Sequence, residues 1–197
     1  MRWVIDGPIG AGKSAVLAEL GRRGHEVQPE PVEEWTLLPR FYADRARHAF
    51  GLQVQIALSM ARRPTPSAGA RAPTFVERDR WSSLEVFGHL APMAPEERAV
   101  LRSVHESLPE EISHGRVLLK IDAETSAARV ARRGRPCERD VDAGYLGLVV
   151  RRYAEVERHF THVIDATRPV GAIADEITRI VSGSTGAKAG GACSWNR

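Results

Sequence analysis

Residues 7–14, Gly-Pro-Ile-Gly-Ala-Gly-Lys-Ser, constrain the fold of this 197-residue chain more than any other stretch. They follow a short apolar run, Arg2–Asp6, and open a segment, Lys13–Arg23, in which Val16, Leu17 and Leu20 recur at helical spacing. Strand, glycine turn and helix in that order match G-x-x-x-x-G-K-[ST] throughout. The glycines let successive backbone N–H groups point inward at phosphate oxygens, and the helix that follows turns its positive end to the same place. Gly7, Pro8, Ile9, Gly10, Ala11, Gly12, Lys13 and Ser14 are therefore the expected phosphate site. Lys13 would place a charge on the terminal phosphates, and Ser14 a hydroxyl on Mg²⁺.

The rest of the chain alternates strand and helix signals. "HEVQPEPV" (25–32) reads as a strand ending at prolines, Glu34 to about Met60 as mostly helix, and "TFVE" (74–77) as a buried strand. Two helices flank "APMAP" within 81–114. A fourth strand, "RVLLKID" (116–122), precedes helices at 124–133 and about 142–158. A fifth, "THVIDA" (161–166), precedes a helix at 170–181. Residues 62–73 are a loop by composition. The small, polar stretch 182–197 reads as a disordered tail after a single domain over 1–181. Such alternation predicts an α/β fold: a parallel sheet of about five strands with helices on both faces and functional residues at the carboxyl ends of the strands.

Composition narrows the function classes. With 43% hydrophobic and 27% charged residues the chain reads as a globular protein, and no apolar run approaches the roughly 18 residues of a membrane span. The start runs straight into a strand pattern, without a leader, and Cys137 and Cys193 make neither a disulfide framework nor a metal cluster. An intracellular, cytoplasmic setting is the expectation. The net charge of +3 could serve nucleic acid, but the densest basic cluster, "RRGR" at 132–135, suits a small polyanion beside a phosphate loop, so neither nucleic acid nor membrane is the expected partner.

A carboxylate follows the second strand in "EPVEEW" (30–35). Pro31 biases Glu30 to extended backbone, which leaves the acid at a strand end, where it could accept a proton from a hydroxyl attacking phosphorus. A proline-marked turn with a solvated acid fits these residues equally well.

The loop, "EPVEEW", "FGLQ" (50–53), "ERDRW" (77–81) and "RVARRGRPCE" (129–138), in that order from about Arg2 to Ile180, resemble the deoxynucleoside kinase family. The resemblance implies a phosphate-loop NTPase-type sheet with an Arg-rich lid, ATP and Mg²⁺ as co-substrate and cofactor, a deoxynucleoside as acceptor, and a homodimer. It implies that Glu30 is the general base on the 5′-hydroxyl and Gln53 the base reader. Trp35 and Phe87 would be walls on the nucleobase, and Tyr42 and Glu138 partners of the 3′-hydroxyl. Glu77 would be a magnesium-associated carboxylate alongside Ser14, and Arg78 would contact the 5′ region. The basic segment adds its own physics. Arg129 and Arg133 are four apart on a helix and share a face, and Gly134 ends that helix so that Arg135 can turn to the same point. With Lys13 they would hold the migrating phosphoryl group, while Arg132 would point away to the surface. Asp79 stands where many members have serine, and could act on magnesium or lie outward.

In the branches that favour deoxycytidine and purines, an arginine follows the reading glutamine by seven positions and an aspartate follows the E-R glutamate by six. Met60 and Ser83 occupy those positions here. A pocket lined by Met60 leaves room for the thymine methyl, so thymidine is the expected acceptor, with deoxycytidine also accepted through a flipped Gln53. Two other readings share the loop: a thymidylate kinase, which needs cations for its acceptor's phosphate, and a non-catalytic nucleotide switch, which needs neither base nor lid.

Overall fold

The computed structural model describes residues 1–65, 72–138 and 141–186, with the side chains of residues 137, 185 and 186 excepted. Residues 187–197 of the expected tail, much of the 62–73 loop, Cys193 and the Cys137 side chain lie outside that description.

Five strands form one parallel sheet in the order β2-β3-β1-β4-β5. They are β1 (Arg2–Asp6), β2 (Glu26–Gln28), β3 (Thr74–Glu77), β4 (Gly115–Lys120) and β5 (His162–Asp165). Between and after them run α1 (Lys13–Arg22), α2 (Leu38–Ala43), α3 (Arg45–Ala61), the short α4 (Arg80–Ser82), α5 (Pro95–Ser107), α6 (Ala123–Arg133), α7 (Ala143–Glu155) and α8 (Val170–Gly186). A π-helical stretch, Ser83–Gly88, prolongs α4.

The strands are covered on both faces, which is why they read as continuous apolar runs. Their period of two still sorts the side chains. Trp3, Ile5, Val117 and Leu119 pack with Val16, Leu17 and Leu20 of α1 and Ile173, Ala174 and Ile177 of α8. Leu118 turns to the opposite face, into a core built from α3 and α7 by Leu52, Ile56, Val149 and Tyr153. β1 is central and its carboxyl end feeds the glycine loop, so that loop opens at the middle of the sheet edge.

β2 ends at its prolines as expected, at Gln28 before Pro29, because proline has no N–H for the ladder. One boundary differs from expectation. Helix α8 continues five residues past 181, through Ser182-Gly183-Ser184. The Ser182 and Ser184 hydroxyls donate to the carbonyls of Thr178 and Ile180, so these polar residues are satisfied on the helix itself.

Candidate active site

Three glycines of the loop have positive φ, and two of them explain its shape. At Gly7 (φ 142°) a Cβ would fall 2.4 Å from the Leu119 carbonyl oxygen, and at Gly10 (φ 83°) 2.8 Å from that of Ser126. The loop is thereby pressed against β4 and α6, and the Ser126 hydroxyl donates to the Ile9 carbonyl (2.7 Å). Helix α1 begins after Gly12 without a side-chain cap, which leaves its first N–H groups for an anion.

A cavity of about 560 Å³ opens at this edge. Its wall brings together Ile9 to Ser14 of the loop, Glu30 and Trp35 after β2, and Tyr42, Gln53 and Met60 from α2 and α3. Glu77 and Arg78 come from the end of β3, Ser83 and Phe87 from the π-helical stretch, and Arg129, Arg133, Arg135 and Glu138 from the end of α6 and beyond. Gly7 and Pro8 do not line it; their carbonyls instead accept from the Lys13 ammonium (3.1 and 3.0 Å). Lys13 is buried, and that burial, followed by the charge of Arg78, lowers its pKa to about 8.

Glu30 meets Arg78. Nη1 of Arg78 donates to both Glu30 oxygens (2.8 and 3.0 Å), and both side chains are 8% exposed. Nη2 reaches the Gly7 carbonyl (3.2 Å), which Lys13 also contacts, so Glu30, Arg78 and Lys13 meet around one loop oxygen. The Arg78 guanidinium lies 4.4 Å over the Phe87 ring. Its Nε reaches the Tyr153 hydroxyl (3.3 Å), which donates to the buried Asp6 (2.6 Å). Burial opposes the Arg78 charge, but Glu30, Tyr153, Asp6 and Glu77 outweigh it and hold the guanidinium firmly protonated. The solvated-acid reading of Glu30 fails here, because the carboxylate is sequestered against a buried cation.

Ser14 donates to both oxygens of Glu77 (3.1 and 3.2 Å). Burial, and then the neighbouring Glu30, push the Glu77 carboxyl above its usual range. The Ser14 hydroxyl and the Glu77 carboxylate, with Glu30 close by, are an oxygen donor set that suits a hard divalent cation, so Mg²⁺ fits here.

The part of the cavity lined by α2, α3 and the π-helical stretch is apolar apart from a few polar groups. Gln53 is buried, and the Ser83 hydroxyl lies 3.5 Å from its carboxamide oxygen. The Trp35 indole N–H donates to Ser59 (2.8 Å), which fixes the ring beside Met60 on α3. Tyr42 packs against Phe41 and Tyr145.

The basic segment divides its labour. Arg129 donates to the carbonyls of Ala166 (2.9 Å) and Gly10 (3.5 Å), which ties α6 to the loop. Arg133 pairs with Glu138 (2.5 Å), so these two expected ligand groups neutralise each other without substrate. Gly134 adopts φ 61° and ends α6, leaving Arg135 on the cavity wall. Arg132 is exposed, as expected, but also borders the cavity. Asp79 resolves to neither option raised by its sequence context. It is 1% exposed, caps α4 through the Ser82 N–H (3.2 Å) and pairs with Arg116 of β4 (2.6 Å). Three contributors escaped sequence reasoning. Tyr153 sits on the Tyr145-Val149-Tyr153 stripe, which spacing marks only as core. Arg63 falls in a stretch that composition marks as loop, and Arg168 lines the cavity after β5.

Comparison with known proteins converges on the same reading. Residues 3–181 match the sequence profile described as "dNK: Deoxynucleoside kinase". The chain is 27% identical over 184 residues to protein 029R of Invertebrate iridescent virus 3, named as a kinase, covering 90% of this chain and 94% of that one. It is 30% identical over 156 residues to protein 143R of Invertebrate iridescent virus 6, also named as a kinase, covering 76% and 78%. The fold superposes on deoxyadenosine kinase from M. mycoides, solved with dCMP and dCDP, with a TM-score of 0.79 at 21% identity, covering 93% of this chain and 99% of that one. The match spans nearly every element that builds the cavity, and the chain belongs to the deoxynucleoside kinase family.

Proposed function

We propose that this kinase transfers the γ-phosphoryl group of ATP to the 5′-hydroxyl of a pyrimidine deoxynucleoside, thymidine first and deoxycytidine second. The observation that carries the reading is the Glu30 carboxylate, held by Arg78 in the cavity that also contains Lys13. Glu30 accepts the 5′-hydroxyl proton as that oxygen bonds to the γ-phosphorus and the bond to the β-phosphate oxygen breaks, releasing ADP. Lys13, Arg129, Arg133 and Arg135 stabilise the charge that redistributes over the phosphoryl oxygens. Arg133 must leave Glu138 for this, which frees Glu138 for the 3′-hydroxyl beside Tyr42. Ser14 and Glu77 would hold Mg²⁺, which neutralises phosphate charge when bound.

Trp35 and Phe87 flank the nucleobase, Gln53 pairs with its edge, and Met60 and Ser83 leave space for the thymine methyl. The acceptor end offers Glu30, Gln53 and Tyr42, and the buried Arg78 there is already paired with Glu30. That arrangement favours a nucleoside over a nucleotide acceptor. The test is a panel of the four deoxynucleosides and dTMP with ATP and Mg²⁺. Phosphorylation of thymidine, then deoxycytidine, is expected; preference for a purine deoxynucleoside or for dTMP would refute the assignment, and no ADP with any acceptor would favour a nucleotide switch. Glu30→Gln should lower turnover by about 100-fold or more with nucleoside binding retained; near-normal turnover would remove Glu30 from the base role. We take the family's usual homodimer as the assembly, to be measured by sedimentation equilibrium.

A further inference from the structure

The proline that frees Glu30 also leaves a gap in the sheet. β2 ends at Gln28, opposite Val76, so no β2 residue pairs with the end of β3, where Glu77 and Arg78 sit. Arg63, just beyond the end of α3, fills that gap. Its Nη1 donates to the Glu77 carbonyl and its Nη2 to the Arg78 carbonyl, both at 2.7 Å. The Arg63 side chain is 7% exposed, and Glu111 lies 3.9 Å away as its counter-charge. Burial opposes the Arg63 charge and Glu111 supports it. An arginine buried in this way to serve two main-chain oxygens is a costly device, and the backbone it holds is unusual.

Arg78 has φ 52°, the one non-glycine residue with positive φ among the described residues. A side chain in that region is strained, and the strain persists only where surrounding contacts over-determine it. The conformation is what turns the Arg78 side chain back under the glycine loop, to Glu30, the Gly7 carbonyl and Tyr153 together. Relaxation of φ at this residue would swing the guanidinium away from all three.

We propose that Arg63 is a positioning residue for phosphoryl transfer: its two-pronged grip on the Glu77 and Arg78 carbonyls holds Arg78 in its left-handed conformation and so sets the Glu30–Arg78 pair against the glycine loop. The inference rests on Glu30 being the base. It also ties α3, which carries Gln53 and Met60, to the strand end that carries Glu77 and Arg78, so the base-reading and reacting ends of the acceptor are held by one side chain. Lysine is no equivalent, since a single ammonium lacks the planar fork that reaches two carbonyls at once.

The experiment compares full-length wild type, Glu30→Gln, Arg63→Met and Arg63→Lys. Thymidine-binding sites are counted by calorimetry, kcat is expressed per binding-competent site, and folding is followed by thermal melting. Arg63→Met should lower kcat per competent site by about 10- to 100-fold, with the thymidine KM within about threefold of wild type, the signature of misplacement at a distance from the chemistry. Arg63→Lys should keep part of the grip and lower kcat per competent site by only about three- to tenfold. A role limited to stability would lower the melting temperature and the number of competent sites and leave kcat per site intact; that result overturns the proposal. If Arg63→Met does not fold, Arg63→Lys decides alone: kcat reduced by about three- to tenfold supports the grip, and wild-type kcat overturns it. Glu30→Gln separates the two layers. Near-normal turnover there ends the base assignment whatever Arg63 does, whereas a dead Glu30→Gln beside a normal Arg63→Met discards the Arg63 inference alone.

Discussion

Nucleotide binding should take up a proton at alkaline pH, and Lys13 should be the group that receives it. In the free protein the ammonium is buried, with its donors on the carbonyls of Gly7 and Pro8, and its pKa falls from 10.5 to about 8. Triphosphate oxygens at the same place reverse the dominant electrostatics and return the pKa toward its ordinary value. At pH 7 about nine-tenths of the free molecules already carry the proton, so binding takes up only ~0.1. At pH 9 only about one-tenth carry it, and binding must take up ~0.9. The linked loss of affinity between pH 7 and pH 9 is about tenfold, or ~1.4 kcal/mol. Titration calorimetry with ATP and Mg²⁺ in two buffers of different ionisation enthalpy reads the uptake directly. Uptake below ~0.3 proton at pH 9, with no fall in affinity, would refute the burial argument. The same shift has a sign for stability. Lys13 binds its proton more weakly folded than unfolded, so the unfolded chain holds more protons between about pH 8 and pH 10.5, and stability of the nucleotide-free protein should rise across that window on this account. Saturating nucleotide should remove that rise.

Other expectations bear on single contacts. Asp79→Ala removes the α4 cap and the buried carboxylate that pairs with Arg116, which should cost ~3–5 kcal/mol in urea unfolding; a loss under 1 kcal/mol would mean that neither contact of Asp79 matters to stability. Gly10→Ala puts a methyl group 2.8 Å from the Ser126 carbonyl oxygen at a φ of 83°, so the loop must shift, and ATP affinity should fall by about tenfold or more with nucleoside binding retained; unchanged ATP affinity would mean that the loop geometry is not what binds phosphate.

Much of this molecule was legible because its signals are local. β1 and β3 coincide with the apolar runs Arg2–Asp6 and Thr74–Glu77, and α6 stops at Gly134 because a left-handed cap there needs glycine or a near substitute. The glycine loop announces itself through backbone geometry that few other residues can adopt. Where the outcome depended on partners far away in sequence, composition misled. Arg63 falls in a stretch that composition marks only as loop, and Asp79 could be read as acting on magnesium or lying outward. Their carbonyl and arginine partners lie 14 and more residues away, and only the sheet order brings them within reach. Arg132 is at the surface, as its spacing implied, and its contribution to the cavity wall was not legible from the helix alone.

The same distinction explains why Glu30, Arg78 and Lys13 meet where they do. A residue after β1, one after β2 and one after β3 can meet only if their strands are neighbours or nearly so, and the order β2-β3-β1 makes them so. β2 is cut short by Pro29, which lets Glu30 fold over toward β3 rather than continue the ladder. Arg78, at the end of the strand between, is the group placed to touch both neighbours: Glu30 on the β2 side and the Gly7 carbonyl on the β1 side. Reaching both requires a backbone turn that a strand does not make, hence the positive φ, and a brace for that turn, hence a buried arginine on two carbonyls. Proline, acid, strained arginine and brace are therefore one device, and a change at any one of them should degrade turnover of the acceptor more than its binding.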